Sequence, residues 1–128
     1  MIEAKPTSQR TITICTVALG FVWLYMGLVP KLVFPETGEL EMTRGSGLFR
    51  GYEEEVVFAV GVGEMIFGLI IMFVKKKIVH ILSIVGLCSL ALGALAGKPE
   101  VYTHPFSPIV ITVPMITLSW IVMRELKN

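Results

Sequence analysis

The sequence predicts an all-α integral membrane protein, a four-helix bundle with both termini in the cytoplasm and a short interfacial helix in the first outer loop. Hydrophobic residues make up 54% of the 128-residue chain and charged residues only 16%, which is too apolar for a soluble domain of this size. The apolar residues also fall into four long runs separated by charged clusters. These runs, within a single domain over 1–128, are about 12–29, 56–74, 78–97 and 106–123.

The first run follows a segment that contains Lys5 and Arg10, as the apolar part of a signal peptide would. It is longer than such a segment, and it ends in Leu28-Val-Pro-Lys instead of a small-residue cleavage site. We therefore expect this run to be retained as the first membrane helix.

The loop between the first and second helices is too long to be a simple connection. Its stretch 35–45 predicts a short amphipathic helix at the membrane interface, stopped by Gly45-Ser-Gly. The glutamates at 53–55 then precede the second helix, where acidic groups stabilise the positive end of a helix dipole. A solvated charge run accounts for these three glutamates equally well.

The connections of the later helices are short or rich in proline. Only 75–77 separate the second and third helices, so we expect these two to be antiparallel neighbours. Ser107 is the expected N-cap of the fourth helix and Pro108 its first residue. Pro114, inside that helix, removes a backbone hydrogen bond and predicts a kink.

The basic residues predict the orientation in the membrane. Seven of the eleven Lys and Arg residues lie at the two termini and in the 75–77 turn, and the other two loops hold four. Both termini should therefore face the cytoplasm. The chain has no basic patch interleaved with aromatics that would indicate a nucleic-acid partner. Cys15 and Cys88 should differ in depth by about 10 Å, which argues against a disulfide.

The most informative residue is Glu64, the single charge near the middle of the second run. An ionisable group at the centre of a transmembrane helix costs about 2.5–3.5 kcal/mol, so it needs a partner, a proton or a function. Gly61 and Gly68 share its helical face, and glycines allow close packing, so Glu64 should lie inside the bundle. Two further stripes should complete the interior: Gly20, Trp23, Gly27 and Lys31 on the first helix, and Ser89, Gly93 and Gly97 on the third.

Lys31 is the candidate partner of Glu64. Side chains lean toward the N-terminus of their own helix, so Lys31 leans into the membrane and Glu64 leans toward the outer surface. The two groups could pair directly, or through water, Tyr25 or a substrate. Alternatively, Pro30 ends the first helix early, and Lys31 extends to the outer headgroups instead.

Counting residues from the outer end of each helix places several polar side chains at a similar depth, slightly outside the membrane midplane. The candidate ligand-binding residues are Trp23, Tyr25, Lys31, Glu64, Ser89 and Thr112. In a pocket, Glu64 would accept a hydrogen bond or move a proton, Lys31 would neutralise negative charge, and an aromatic ring would stack on the ligand.

Plainer interpretations remain open for each of these residues. The aromatic residues can be packing residues, the hydroxyls can bond to their own helix, and Glu64 can be a protonated buried carboxyl. No metal site is predicted, because His80 and His104 lie at opposite membrane faces and the methionines have no copper-ligand spacing.

Three segments resemble the DoxX-like family of small integral membrane proteins. Phe21-Val-Trp-Leu-Tyr-Met-Gly-Leu-Val-Pro-Lys-Leu is similar to the first helix of that family, and Gly61-Val-Gly-Glu-Met-Ile-Phe-Gly-Leu is similar to its second. His104-Pro-Phe-Ser-Pro-Ile resembles the Phe-Asn-Pro start of its fourth helix, with Ser107 in place of Asn. The residues that match by position are Trp23, Pro30, Lys31, Glu64 and Pro108.

This resemblance implies a four-helix protein of the bacterial cytoplasmic (inner) membrane. It also implies a link to membrane oxidoreductase assemblies, which in the wider group include a subunit of thiosulfate:quinone oxidoreductase. The chain has no haem or iron–sulfur ligand set, which argues against electron transfer by the chain itself.

Three functions follow as hypotheses. The first is a binding or accessory subunit with an intramembrane pocket for a quinone or lipid, alongside an oxidoreductase partner or a second copy of the chain. The second is a structural or chaperone-like bundle without a ligand. The third is a lipid-modifying enzyme in which Glu64 is the general acid or base. The sequence does not decide whether the protein is an enzyme.

Overall fold

The computed structural model of the chain describes residues 6–34, 39–97, 99–103, 105 and 107–126. These residues contain helices and turns and no strand. The α-helices are α1 (Pro6–Gly27), α2 (Glu39–Ser46), α3 (Glu53–Phe73), α4 (Lys77–Gly97) and α5 (Pro108–Glu125). A π-helical segment (Leu28–Val33) continues α1, and a 3₁₀ turn (Pro99–Thr103) follows α4.

Four of these helices are long and apolar enough to cross a membrane: α1 with its π-helical continuation, α3, α4 and α5. This result confirms the predicted all-helical membrane fold. The first of them begins well before the predicted apolar run 12–29, and its helical conformation continues to Val33.

The short helix expected in the first loop is also present, as α2. It is followed by Gly47, whose φ of 69° lies in the left-handed region that glycine adopts without a steric penalty. Within the predicted segment 35–45, the residues from Glu39 onward are helical, and 35–38 lie outside the described residues.

The helices are arranged around the bundle in the order α3, α1, α5, α4. The most extensive packing is between α1 and α3, whereas α4 packs on α5 and on α2. As expected, α3 and α4 are joined by a short turn and run antiparallel, but they make few contacts with each other. The turn constrains only one end of each helix, and at the other end α2 lies between them and contacts both.

Glycines bring the backbones of α1 and α3 into contact, as the glycine stripes predict. A Cβ on Gly68 would lie 2.9 Å from the carbonyl oxygen of Gly20, and a Cβ on Gly27 would collide with the carbonyl oxygen of Gly61. We call these two pairs, Gly20–Gly68 and Gly27–Gly61, the glycine seam. At each pair a side chain would have to displace backbone, and the seam therefore fixes α3 in depth and rotation against α1.

The third predicted stripe does not face the bundle interior. The buried residues of α4 are Val79, His80, Ser83, Leu87 and Ala94. Ser89 and Gly93 are exposed, and Gly97 packs against the backbone of α2 at Met42. The small-residue rule assumes a helix packed along its whole length, whereas the small residues of α4 line the space that separates it from α3.

We name the two ends of the bundle by the segments that each contains. At the terminal end, α1 and α5 meet through Ile12, Cys15, Val122 and Leu126. The opposite end carries α2 and is called the α2 end. Both described cysteines are free, as expected, with Cys15 buried and Cys88 exposed.

The start of α5 matches the prediction only in part. Ser107 is at the N-cap position and proline is in the first turn, but the Ser107 side chain makes no capping hydrogen bond. Pro114 lies within α5, which continues as helix beyond it to Glu125. His104 lies outside the described residues.

Candidate ligand site

Lys31 and Glu64 form an ion pair inside the bundle. The Nζ atom of Lys31 lies 3.1 Å from Oε1 and 3.2 Å from Oε2 of Glu64. The two side chains are only 6% and 5% exposed. Of the alternatives that the sequence left open, direct pairing is therefore the one present, and Lys31 does not extend to the headgroups.

The π-helical segment Leu28–Val33 places Lys31 at this position. Pro30 has no N–H with which to bond to Met26 O, four residues earlier. The ammonium of Lys31 donates to that carbonyl instead, at 3.3 Å, and the wider turn ends where Phe34 N donates to Val29 O at 2.9 Å. Pro30 thus widens the helix instead of ending it, and π-helical turns are frequent at functional sites.

Gly61 provides the space that the lysine side chain occupies. It lies one turn from Glu64 on the same face of α3. A Cβ at this position would lie 2.9 Å from Cβ of Lys31 and 2.8 Å from Gly27 O, so any larger residue would displace the lysine or the seam. The glycine seam and the ion pair are therefore parts of one arrangement.

A cavity of about 520 Å³ lies beside the ion pair at the α2 end. It occupies the space between α3 and α4 and is bounded by the end of α1, the start of α5, and α2 with the turn after it. Its wall is mostly apolar. The polar residues on the wall are Tyr25, Lys31, Thr43, Ser46, Ser89 and Thr112.

The structure brings four of the six predicted site residues to this cavity: Tyr25, Lys31, Ser89 and Thr112. Glu64 lies behind Lys31 and is not among the lining residues. Tyr25 is 54% exposed, and the hydroxyl of Ser89 donates to Val85 O of its own helix at 2.8 Å. The oxygen of Ser89 remains an acceptor toward the cavity.

Trp23, the sixth predicted residue, lies in the core and not on the cavity wall. Its Nε1 donates to Oγ of Ser83 at 3.2 Å, and Oγ of Ser119 donates to the same oxygen at 3.2 Å. Its ring meets Phe67 edge to face at 5.0 Å between centroids. Trp23 thus ties α1 to α4, and Ser119 ties α5 to the same serine.

Sequence reasoning missed two groups of residues. Ser83 and Ser119 carry no local signal, because their hydrogen bonds join different helices. The wall residues of α2 and the following turn, among them Thr43, Ser46 and Phe49, were missed because an amphipathic segment predicts an interfacial position and not the packing against α3 and α4. The amphipathic pattern of 35–45 was the only available signal.

Removing the hydroxyl of Ser83 should destabilise the bundle. In Ser83→Ala the buried indole N–H of Trp23 and the hydroxyl of Ser119 lose their acceptor, which should lower the free energy of unfolding by about 1–3 kcal/mol. Unfolding of the purified protein in mixed micelles measures the change. Ser89→Ala, on the same helix, is the matched control and should change little. Equal stability of Ser83→Ala and wild type would show that this hydrogen bond contributes nothing.

Comparison with known protein families identifies the family of the chain. The family model for the DoxX-like family matches residues 20–120, most of the chain. The chain belongs to the DoxX-like family. The matched region of this DoxX-like protein includes the glycine seam, the ion pair and the cavity, and together with the four apolar helices it indicates a multi-pass membrane protein. No curated protein and no solved structure matches the chain.

Proposed function

We propose that this DoxX-like protein is a binding or accessory subunit in a bacterial cytoplasmic membrane, and that its cavity receives an apolar molecule with a polar head. The observation that supports this most directly is the position of the buried Lys31 on the wall of an otherwise mostly apolar cavity. We propose Tyr25, Lys31, Ser89 and Thr112 as the polar contacts of the ligand, with Glu64 behind them. Both termini would face the cytoplasm.

The size and composition of the cavity suit an amphiphile. Sites for small molecules usually occupy about 300–1,000 Å³ and combine an apolar lining with a few placed polar groups. The cavity here, at about 520 Å³, has aliphatic walls from α3 and α4 and its polar groups on α1, α2, α4 and α5. An apolar tail would pack on the aliphatic walls, while the polar head contacts the polar groups.

The ion pair favours a neutral head over an anionic one. Glu64 compensates the charge of Lys31, so an anion in the cavity would meet little net positive charge. A carbonyl oxygen in the cavity would share or replace one of the hydrogen bonds that the ammonium donates to Met26 O and Glu64, and bonds to charged donors contribute about 1.5–3 kcal/mol. A quinone, which carries such oxygens on a ring, fits this chemistry better than an anionic lipid.

Access from the membrane follows from the helix arrangement. Because α3 and α4 make few contacts and both line the cavity, an amphiphile can approach between them from the lipid side. Helix α2 bridges the same two helices at the α2 end and would cover the bound head. A link to an oxidoreductase partner rests on the family resemblance alone.

The two rival functions differ in what the structure offers them. For a structural bundle, the supporting observations are the Lys31–Glu64 pair and the hydrogen bonds of Trp23 and Ser119 to Ser83, since each joins separate helices. For a lipid-modifying enzyme the support is weaker. Glu64 is not among the residues that line the cavity, whereas its partner Lys31 is.

Filling the cavity tests the proposal. A Cβ on Gly93 of α4 or on Gly63 of α3 would have no heavy atom within 4 Å, so both positions should accept leucine. Only Gly93 lies on the cavity wall. Native mass spectrometry should show a bound quinone or lipid on wild type and Gly63→Leu, and its loss from Gly93→Leu. An identical set of bound molecules on all three proteins would favour the structural alternative.

A further inference from the structure

The imidazole of His80 is a buried titratable group with no role in the proposed ligand site. The side chain is completely buried, and neither ring nitrogen has a hydrogen-bond partner among the residues that the structure describes. A neutral imidazole carries one N–H donor and one acceptor nitrogen. Leaving such groups unsatisfied in a protein interior is unfavourable, and buried water is the usual partner where the protein supplies none.

Along the bundle axis, the buried hydroxyls on either side of His80 belong to Ser83, which accepts from Ser119, and to Thr16. Ser83 is three residues further along α4, on the same face as His80. Its hydrogen bond with Trp23 puts Ser83 of α4 and Trp23 of α1 at the same level along the bundle, and the two helices run in the same direction. Thr16 is seven residues before Trp23 on α1. His80 is therefore about 5 Å, and Thr16 about 10 Å, nearer the terminal end than the Trp23–Ser83 contact.

This register puts the level of His80 between the levels of two completely buried hydroxyls. The hydroxyl of Thr16 donates to Thr13 O at 3.2 Å and accepts from Nζ of Lys75 at 2.9 Å. Because an oxygen has two lone pairs, Thr16 can accept one more hydrogen bond. Side chains also lean toward the N-terminus of their helix, which directs His80 from the level of Ser83 toward that of Thr16.

Lys75 connects this buried group to the terminal end of the bundle. It lies in the exposed turn between α3 and α4, and its ammonium donates to the hydroxyl of Thr16. A water molecule that passes its ammonium would reach Thr16 next. Along the bundle axis, polar groups therefore lie on both sides of the His80 level, and Lys75 lies toward the terminal end.

We infer that His80 binds a buried water molecule held between the hydroxyls of Thr16 and Ser83 and reached from the terminal end past Lys75. The site is separate from the apolar cavity at the α2 end, and it does not depend on what that cavity binds. It gives the terminal half of the bundle a ring N–H that exchanges protons with bulk water.

The two-histidine content of the chain allows a direct test. In the His104→Gln protein His80 is the sole histidine, and ¹⁵N-histidine labelling in lipid nanodiscs isolates its ring signals. Solid-state NMR should show magnetisation transfer from water to the His80 ring and ¹⁵N shifts of hydrogen-bonded nitrogens. Thr16→Val and Ser83→Ala should reduce the transfer, whereas Ser89→Ala, at the cavity, should leave it unchanged.

Three results would overturn the inference. The first is a ring without water transfer and with shifts of nitrogens that lack hydrogen bonds. The second is hydrogen-bonded nitrogens without water transfer, which would assign the partner to a protein group. The third is transfer that is unchanged in both Thr16→Val and Ser83→Ala. The first two results are measured on the His104→Gln protein, in which Thr16 and Ser83 are unchanged, so they do not depend on whether Thr16→Val and Ser83→Ala fold.

Discussion

Lys31→Met is expected to lower the free energy of unfolding by about 3–5 kcal/mol, because removing one partner of a buried ion pair leaves the other charge in a poorly solvated position. Here the Glu64 carboxylate would lose the ammonium 3.1 Å away. Glu64→Gln should have a comparable effect, since it leaves the buried ammonium without its anion. Denaturant unfolding in mixed micelles measures both.

The matched control for the lysine is Lys76→Met in the exposed turn after α3, where surface substitutions usually change stability by no more than about 0.5 kcal/mol. The double variant Lys31→Met with Glu64→Gln should be more stable than the sum of the single effects predicts, by about 0.5–3 kcal/mol. Strictly additive effects would mean that the two groups do not interact in the folded protein.

Gly61→Ala is expected to have the second large effect. Its new Cβ would lie 2.8 Å from Gly27 O and 2.9 Å from Cβ of Lys31, so the seam must open or the lysine must move. Overpacking of this kind typically costs about 1–3 kcal/mol. The same unfolding measurement should therefore show a loss of stability, and the Lys31–Glu64 coupling measured in the Gly61→Ala background should fall.

Gly63→Ala is the control on the same helix, two residues away. A Cβ at Gly63 meets no heavy atom within 4 Å, and alanine favours a helix over glycine by about 1 kcal/mol. Its stability should therefore equal or exceed that of wild type. Equal destabilisation by both alanines would show that glycine content, and not contact across the seam, matters in α3.

Much of the fold was predictable because the membrane imposes simple rules. Four apolar runs of spanning length predict four helices, and an amphipathic stretch ended by Gly45-Ser-Gly predicts α2. The Lys31–Glu64 pair was one of the arrangements that the sequence allowed, since two antiparallel helices direct their side chains toward each other. The sequence could not show that the helix would continue past Pro30 as a π-helical turn.

The errors have a common physical cause. The small-residue rule treats every such stripe as a tight interface, whereas the stripe of α4 at Ser89 and Gly93 faces a cavity. Whether α4 packs on α3 depends on α2, which lies between them at one end, and no local pattern encodes that separation. Trp23 was assigned to the correct face of α1, but its partner Ser83 lies 60 residues away along the chain and could not be identified from spacing.

Photolabelling tests the central claim, that the cavity binds an amphiphile with a neutral head, most directly. A quinone and a phospholipid, each with a photoreactive group on the head, would be activated with the protein in nanodiscs, and the labelled residues located by peptide mass spectrometry. We expect the quinone to label the cavity wall around Ser89 and Thr112, unlabelled quinone to compete, and the phospholipid to label the lipid-facing surface. Quinone labelling spread over exposed residues such as Phe73 and Leu92, without competition, would contradict the claim.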